Sequence, residues 1–314
     1  MIRILISGTT GFIGSELIKV LDSSKYDVWG TLRNVAGRYV LGENVNKYFC
    51  DLTDHFTVNN MVRELKPEIV VHLAAISSVS YSYTHPIEVM NTNIMSLVNL
   101  AEACMRYDPN LVKFIQASSS ESYGWQERFP IEENFIQRPN SPYSASKVAI
   151  ERYLEFLWKA YEFPVIIARP FNTYGRKNDR NFFVERCVTQ MLKNPAGTIY
   201  LGDPSPIRDF LYVSDHIDAY LNLIETDRDV FGEAFNFCTG MGSSIQDMAS
   251  KIAELSGFQE FIEWRSIPQR PYDIPKLIGS NAKSKRVLGW EPKVSLEEGL
   301  LRTIEHWRKK LAFS

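Results

Sequence analysis

MIRILISGTTGFIGSELI, residues 1–18, joins a short apolar run, a turn rich in glycine and the start of a helical pattern. IRILIS (2–7) reads as a strand ending at Gly8, and FIGSELIKVLDSS (12–24) has helical spacing. Between them GTTGFIG (8–14) spaces its glycines as GxxGxxG, a variant of the GxGxxG loop that receives a dinucleotide. Glycines there permit the turn, let backbone approach a pyrophosphate and place that anion at a helix N-terminus. Gly8, Gly11 and Gly14, with Phe12 and Ile13, are the candidate pyrophosphate loop. A signal peptide is rejected, because Ser7 to Gly11 break the apolar run and no small-residue cleavage pattern follows.

The strand and helix patterns alternate through the first half. DVWGTL (27–32), KYFCDL (47–52), EIVVHLAA (68–75), LVKFIQAS (111–118) and PVIIARPF (164–171) read as strands. Residues 54–66, 86–107 and 141–161 read as helices, the first capped by Thr53 or Asp54 and the last with Pro142 in its first turn. Strands this apolar, alternating with helices, predict an α/β fold: a Rossmann-type, doubly wound parallel sheet. Beyond residue 170 the rhythm loosens into longer loops such as GDPSPIRDF (202–210). We therefore expect a dinucleotide-binding domain over 1–170. A smaller C-terminal α/β substrate domain is expected over 171–314, with some segments returning to the first.

The chain has 314 residues, 45% hydrophobic and 23% charged, ordinary for a soluble globular protein. A net charge of −2 supplies no overall field toward nucleic acid or an anionic membrane. No stretch reaches the roughly 18 apolar residues of a membrane span. Cys50, Cys104, Cys187 and Cys238 lie far apart and form no metal-ligand spacing, which predicts reduced, core-filling thiols in a cytoplasmic protein and no metal.

Dinucleotide choice is read at the end of the second strand. A ribose-binding carboxylate is the usual NAD signal there. This chain instead has Gly30, Thr31, Leu32 and Arg33, and a guanidinium suits a 2′-phosphate. NADP(H) is the expected cofactor and NAD(H) the alternative. Asp51 and Leu52 follow the next strand, where an acceptor can meet the adenine amino group.

Tyr143 and Lys147 stand four apart on a predicted helix and share one face. A tyrosine titrates near pH 10, and a nearby ammonium favours its phenolate. Ser119 follows the preceding strand. The three make a proton-transfer set for interconverting an alcohol and a ketone. Glu121, in QASSSESYG (116–124), is either a solvated loop residue or a further acid/base. Ser77 and Ser78 are either substrate contacts or plain loop serines, and Tyr81 and Tyr83 either flank a substrate or form an exposed turn. His72 is read as structural and Trp290 as a core or turn residue.

Along nearly its whole length the chain resembles the extended short-chain dehydrogenases/reductases that act on nucleotide sugars. The resemblance rests on GTTGFIG (8–14), DLTD (51–54), HLAA (72–75), QASSSESYG (116–124), YSASK (143–147), RPFNTYG (169–175), RDF (208–210) and LGWEP (288–292). It is closest to GDP-mannose 4,6-dehydratases and GDP-4-keto-6-deoxy-mannose reductases. The resemblance implies that Ser119, Tyr143 and Lys147 are catalytic and that Asp51, Leu52, Ala74 and Ala75 line the cofactor path together with Tyr143 and Lys147, the lysine able to hold the nicotinamide ribose. It implies that Asn172, Arg208 and Arg270 contact the diphosphate side of a nucleotide sugar, GDP-linked by preference. In the dehydratases a glutamate at the Glu121 position removes the proton on sugar carbon 5 and helps hydroxide leave carbon 6. RPYDIPKLIGSN (270–281) and GTLRN (30–34) look more like the reductases, and the arginine-rich loop of GDP-mannose dehydratases is missing after the second strand. Dehydratase is the leading expectation, with 4-keto reductase and 4-epimerase as alternatives. A dinucleotide sensor without turnover would not need the catalytic trio. The family also implies a homodimer or higher homo-oligomer, built on helices 86–107 and 141–161.

Overall fold

The computed structural model describes residues 1–33, 42, 45–175 and 182–312; Asn34, the last residue of GTLRN, lies outside them. The chain divides into two compact units. The first holds Met1–Gly124, Ile136–Arg169 and Ile217–Phe235. The second holds Trp125–Phe135, Pro170–His216 and Asn236–Ser314.

The first unit is built on β1 (Ile2–Ser7), β2 (Tyr26–Leu32), β3 (Asn46–Phe49), β4 (Ile69–His72), β5 (Lys113–Ala117) and β6 (Val165–Pro170). These six pair in parallel in the order β3-β2-β1-β4-β5-β6, and Ala234–Phe237 lies beyond β6. Ile4 of β1 is in register with Val28 of β2 and Ile69 of β4. β4 is buried at every position and β5 at four of five, as a strand covered on both faces requires, so apolar runs replace alternation. β3, at the edge, is mostly exposed and carries Asn46 and Lys47. The winding direction reverses between β1 and β4. Their carboxyl ends therefore flank the crevice where a doubly wound sheet takes its ligand.

The helices of this unit are α1 (Phe12–Val20), α2 (His55–Leu65), α3 (Val79–Thr84), α4 (Pro86–Tyr107) and α5 (Pro142–Tyr161). α1 stops short of the expected residue 24. Leu21 takes extended backbone, and Asp22 Oδ1 accepts the Ser24 N–H at 2.8 Å and its hydroxyl at 2.7 Å, a local turn that competes with the helix. Asp54 caps α2 by accepting the Phe56 N–H at 3.1 Å. Leu5, Val58, Leu97, Phe114, Leu154 and Val165 meet in one buried core. The four cysteines are free and buried.

The second unit has short strands and its own core, in which helices Phe183–Lys193, Ile245–Ser256 and Leu296–Ala312 bury Met191, Ile252, Ile304 and Trp307. Trp290 is buried too, its indole N–H donating to the Asp215 carbonyl at 3.2 Å. No described helix is long and apolar enough to cross a membrane.

Candidate active site

The glycine loop lies at the carboxyl end of β1. Gly8 has φ +72°, and a Cβ there would sit 2.8 Å from the Ala74 nitrogen. A Cβ on Gly14 would come within 2.4 Å of the Gly8 carbonyl oxygen. Both positions thus exclude any larger residue. Gly11 precedes α1 with no side-chain cap, so the N–H groups of the first turn face whatever anion the loop receives. This cradle fits a dinucleotide pyrophosphate. Phe12 and Ile13 open α1 behind it.

A buried polar relay fixes the loop against β4. Ser7 Oγ accepts the N–H groups of Leu73 and Ala74, each at 3.1 Å. Its own proton therefore points to His72 Nδ1, 2.7 Å away. That assigns His72 as the neutral Nε2–H tautomer, with Ser96 Oγ 3.4 Å from Nε2. Burial, aided by the charge on Lys147, pushes the His72 imidazole down to about 3. His72 is a structural group that, through Ser7, holds Leu73 and Ala74 beside the loop, and Ser7 is a partner that sequence reasoning passed over.

Arg33 is exposed just past β2. Asp51 is exposed, with Oδ1 accepting the Thr53 N–H at 2.9 Å and its hydroxyl at 2.8 Å. Leu52 is buried and its carbonyl accepts from Asn99 Nδ2 at 2.9 Å. Ser78 caps α3, its hydroxyl oxygen accepting the Tyr81 N–H at 3.2 Å. The Tyr81–Tyr83 stretch is thus helical rather than a turn. Tyr81 packs its ring on His85 and donates to Glu88 at 2.6 Å, while Tyr83 donates to the Asn140 carbonyl at 2.7 Å.

The catalytic candidates sit on the turn that follows β5 and on α5. Ser141 caps α5 in a reciprocal box with Ser144, which fixes the first turn and hence Tyr143. Tyr143 is 6% and Lys147 3% exposed, with Lys147 Nζ 5.7 Å from the Tyr143 ring centre. Lys147 Nζ donates to the Ala117 carbonyl at 2.8 Å, anchoring α5 to the end of β5. Burial pushes the Lys147 ammonium down to about 8, against the opposing pull of the Glu151 carboxylate. Between that value and its ordinary 10.5 the unfolded chain binds more protons than the folded one. The Lys147 contribution to stability therefore rises with pH across that window.

Ser119 begins a single 3₁₀ turn, Ser120–Tyr123, and its Oγ accepts the Glu121 N–H at 3.2 Å. All four residues of this polar turn are buried. Glu121 is 7% exposed, and among the described residues its Oε2 has no hydrogen-bond partner. A buried carboxylate oxygen left unpaired is costly, and such orphans gather where chemistry is done.

In the second unit, Asn172 Oδ1 is also buried and without a partner among the described residues. Its N–H donates to the Asp209 carbonyl at 3.1 Å. Arg208 is buried, and its guanidinium lies 2.9 Å from Asp273; Arg270 reaches the same carboxylate at 3.5 Å. Two guanidinium groups on one carboxylate make a net positive trio, suited to phosphate oxygens. The neighbouring Asp209 carboxylate accepts the Thr239 and Gly240 N–H groups at 2.8 and 2.9 Å, which fixes the strand carrying Arg208. Among the described residues no cluster of metal-binding side chains occurs.

A family model described as GDP-mannose 4,6 dehydratase matches residues 5–303. The chain is 32% identical over 317 residues to the UDP-glucose 4-epimerase of Mycolicibacterium smegmatis, an alignment covering 98% of this chain and 99% of that protein. Its fold matches the UDP-glucose 4-epimerase of Thermotoga maritima, solved with UDP-glucose, at TM-score 0.90 and 34% identity, covering 99% of this chain and 100% of that one. RMD from Pseudomonas aeruginosa, complexed with NADPH, matches at TM-score 0.82 and 25% identity, covering 99% and 100%.

Proposed function

The chain belongs to the extended short-chain dehydrogenase/reductase family of epimerases and dehydratases, enzymes that modify nucleotide sugars, and from that premise we propose that it is a 4,6-dehydratase of a GDP-linked sugar, with GDP-mannose the first candidate. The observation that carries this reading is the buried, unpartnered carboxylate oxygen of Glu121, two residues beyond Ser119. A hydride shuttle at carbon 4 needs only Ser119, Tyr143 and Lys147. A buried acid/base beside them is the extra part that water removal demands.

When bound, a nicotinamide dinucleotide would supply the hydride chemistry that links sugar carbons 4 and 6. The loop of Gly8, Gly11, Phe12, Ile13 and Gly14 would hold its pyrophosphate, with Asp51, Leu52, Ala74, Ala75 and Lys147 along its length. Tyr143 takes the proton of the 4-hydroxyl, Ser119 hydrogen-bonds the same oxygen, and the Lys147 charge favours the phenolate. The new ketone acidifies carbon 5. Glu121 removes that proton and delivers it to the departing 6-hydroxyl, so one water leaves; carbon 5 then takes a solvent proton through Glu121 as carbon 6 gains the hydride, and Tyr143 gives the proton it took to solvent. Asn172, Arg208 and Arg270 take the diphosphate, with Ser78 beside the sugar.

A second reading, 4-epimerase, draws support from the two UDP-glucose 4-epimerases above. One experiment separates them: GDP-mannose with catalytic NADP in heavy water, read by NMR and mass spectrometry. A dehydratase yields a 4-keto-6-deoxy product that has lost water and gained solvent deuterium. An epimerase yields an isomer of unchanged mass. Untouched GDP-mannose, followed by reduction of the 4-keto sugar with NADPH, would instead establish a reductase.

Two further outcomes are expected. Because burial holds the Lys147 ammonium near 8, turnover should fall on a basic limb above about pH 8 as that charge is lost. A rate that is flat from about pH 7 to pH 10 would remove the ammonium from the mechanism. Arg33→Ala should weaken NADP by roughly tenfold, about the value of one charge-assisted contact, and leave NAD within about twofold. Equal weakening of both dinucleotides would show that Arg33 does not meet a 2′-phosphate.

A further inference from the structure

The 3₁₀ turn that carries Glu121 is tied at both ends to one buried ion pair. Glu151 is 1% exposed and stands two helical steps from Tyr143 on the face shared with Lys147. Arg169, at the end of β6, is 4% exposed. Its guanidinium reaches Glu151 Oε2 through Nη2 at 2.5 Å and Oε1 through Nε at 3.1 Å. Burial opposes the guanidinium charge, and the Glu151 carboxylate more than restores it. On one side of the turn, the Ser118 hydroxyl donates to Glu151 Oε1 in a short contact. On the other, Arg169 Nη1 donates to the Tyr123 phenol oxygen at 2.7 Å, and the guanidinium lies 5.0 Å from that ring centre. Gln137 Nε2 adds a donation to Glu151 Oε2 at 2.7 Å.

We infer that the Glu151–Arg169 pair, acting through Ser118 and Tyr123, is a positioning device that sets where the Glu121 carboxylate stands. This rests on the dehydratase reading above. Four residues of polar backbone and side chain, Ser120–Tyr123, have no strand or long helix to hold them. An ion pair without solvent is a poor source of net stability, since desolvation offsets the attraction. It is a good source of fixed geometry, because a guanidinium and a carboxylate dock in one plane. Tyr143 and Lys147 are placed by α5 itself, and Ser119 by extended backbone that continues β5, where the Ser118 N–H donates to the Ala168 carbonyl at 2.8 Å, so the groups that serve carbon 4 do not depend on the clamp. Loosening the clamp should therefore harm the step that uses Glu121 more than the step that uses Tyr143.

Tyr123→Phe removes only the phenol oxygen that Arg169 grips, and Ser118→Ala only the hydroxyl on the other side. In single turnovers with GDP-mannose and NADP, carbon 4 oxidation is followed by the absorbance of the reduced nicotinamide, and water loss by mass. Each variant is expected to slow water loss by roughly tenfold or more, the scale of a small misplacement of a reacting group, with oxidation within about threefold and KM little changed. Adding Tyr123→Phe to Glu121→Gln should slow water loss no further, because the carboxylate it positions is gone. Equal losses in both steps, no loss in either, or a further additive loss in the double variant would overturn the proposal. If Tyr123→Phe melts early, Ser118→Ala carries the same comparison. A wild-type enzyme that releases no water overturns the dehydratase reading and the clamp with it. A wild type that does, beside variants lacking the split, overturns the clamp alone.

Discussion

Tyr143→Phe is expected to lower kcat by about 10³-fold, within the 10²–10⁴ range of a general acid/base, with dinucleotide affinity within about twofold. The change keeps the ring in its nearly closed site beside Lys147 and deletes one oxygen. Loss of a single buried hydroxyl costs about 1 kcal/mol of stability, so a folded, cofactor-competent protein should remain. Lys147 retains its bond to the Ala117 carbonyl, and α5 retains its Ser141 cap, so the rest of the site has no reason to move. Turnover and equilibrium dinucleotide titration, measured on the same preparation, check both halves of the expectation. Unchanged turnover would take Tyr143 out of the proton path and hand its role to another group.

How far this site could be read from sequence depends on how local its parts are. The glycine loop is one continuous segment whose spacing marks it, and the clash of a Gly14 side chain with the Gly8 carbonyl is local, whereas the contact of Gly8 with Ala74 comes only from the fold. Tyr143 and Lys147 follow from helical period alone. The apolar runs at Ile69–His72 and Val165–Pro170 announce strands covered on both faces, and so the parallel sheet. Three features resisted. α1 stops at Val20 because Asp22 captures Ser24, a contest between side chain and helix that spacing does not decide. VSYSYT alternates like a strand or turn, yet the Ser78 cap makes it helical. Glu151 and Arg169 lie 18 residues apart on a helix and a strand. Glu151 shares a helix face with Tyr143 and Lys147 but was passed over in the sequence, and only the fold brings Arg169 to it. The chain's exchange of Trp125–Phe135 and Ile217–Phe235 between units has the same origin, since contacts distant in sequence decide it.

Glu121→Gln should separate the chemistry at carbon 4 from that at carbons 5 and 6. Glutamine preserves the size of the side chain and the turn's backbone bonds, from the Glu121 N–H to Ser119 Oγ and from the Gly124 N–H to the Glu121 carbonyl. It removes the proton acceptor. Water release is expected to fall by about 10²–10⁴-fold, while oxidation at carbon 4 proceeds and the variant accumulates reduced dinucleotide. Solvent deuterium should no longer enter carbon 5, because that exchange needs the same base. A stability change accompanies this. The buried Oε2 has no partner among the described residues, so an amide placed there buries an unsatisfied polar group as well, at about 1–3 kcal/mol. A melting curve therefore belongs beside the kinetics, so that a lost fold is not read as a lost base. Normal water release by a folded variant would strip Glu121 of its role. Equal loss of oxidation and dehydration would make the carboxylate a structural element of the turn. An intact epimerase activity in both wild type and variant would mean that Ser119, Tyr143 and Lys147 suffice and that the glutamate serves no step of the reaction.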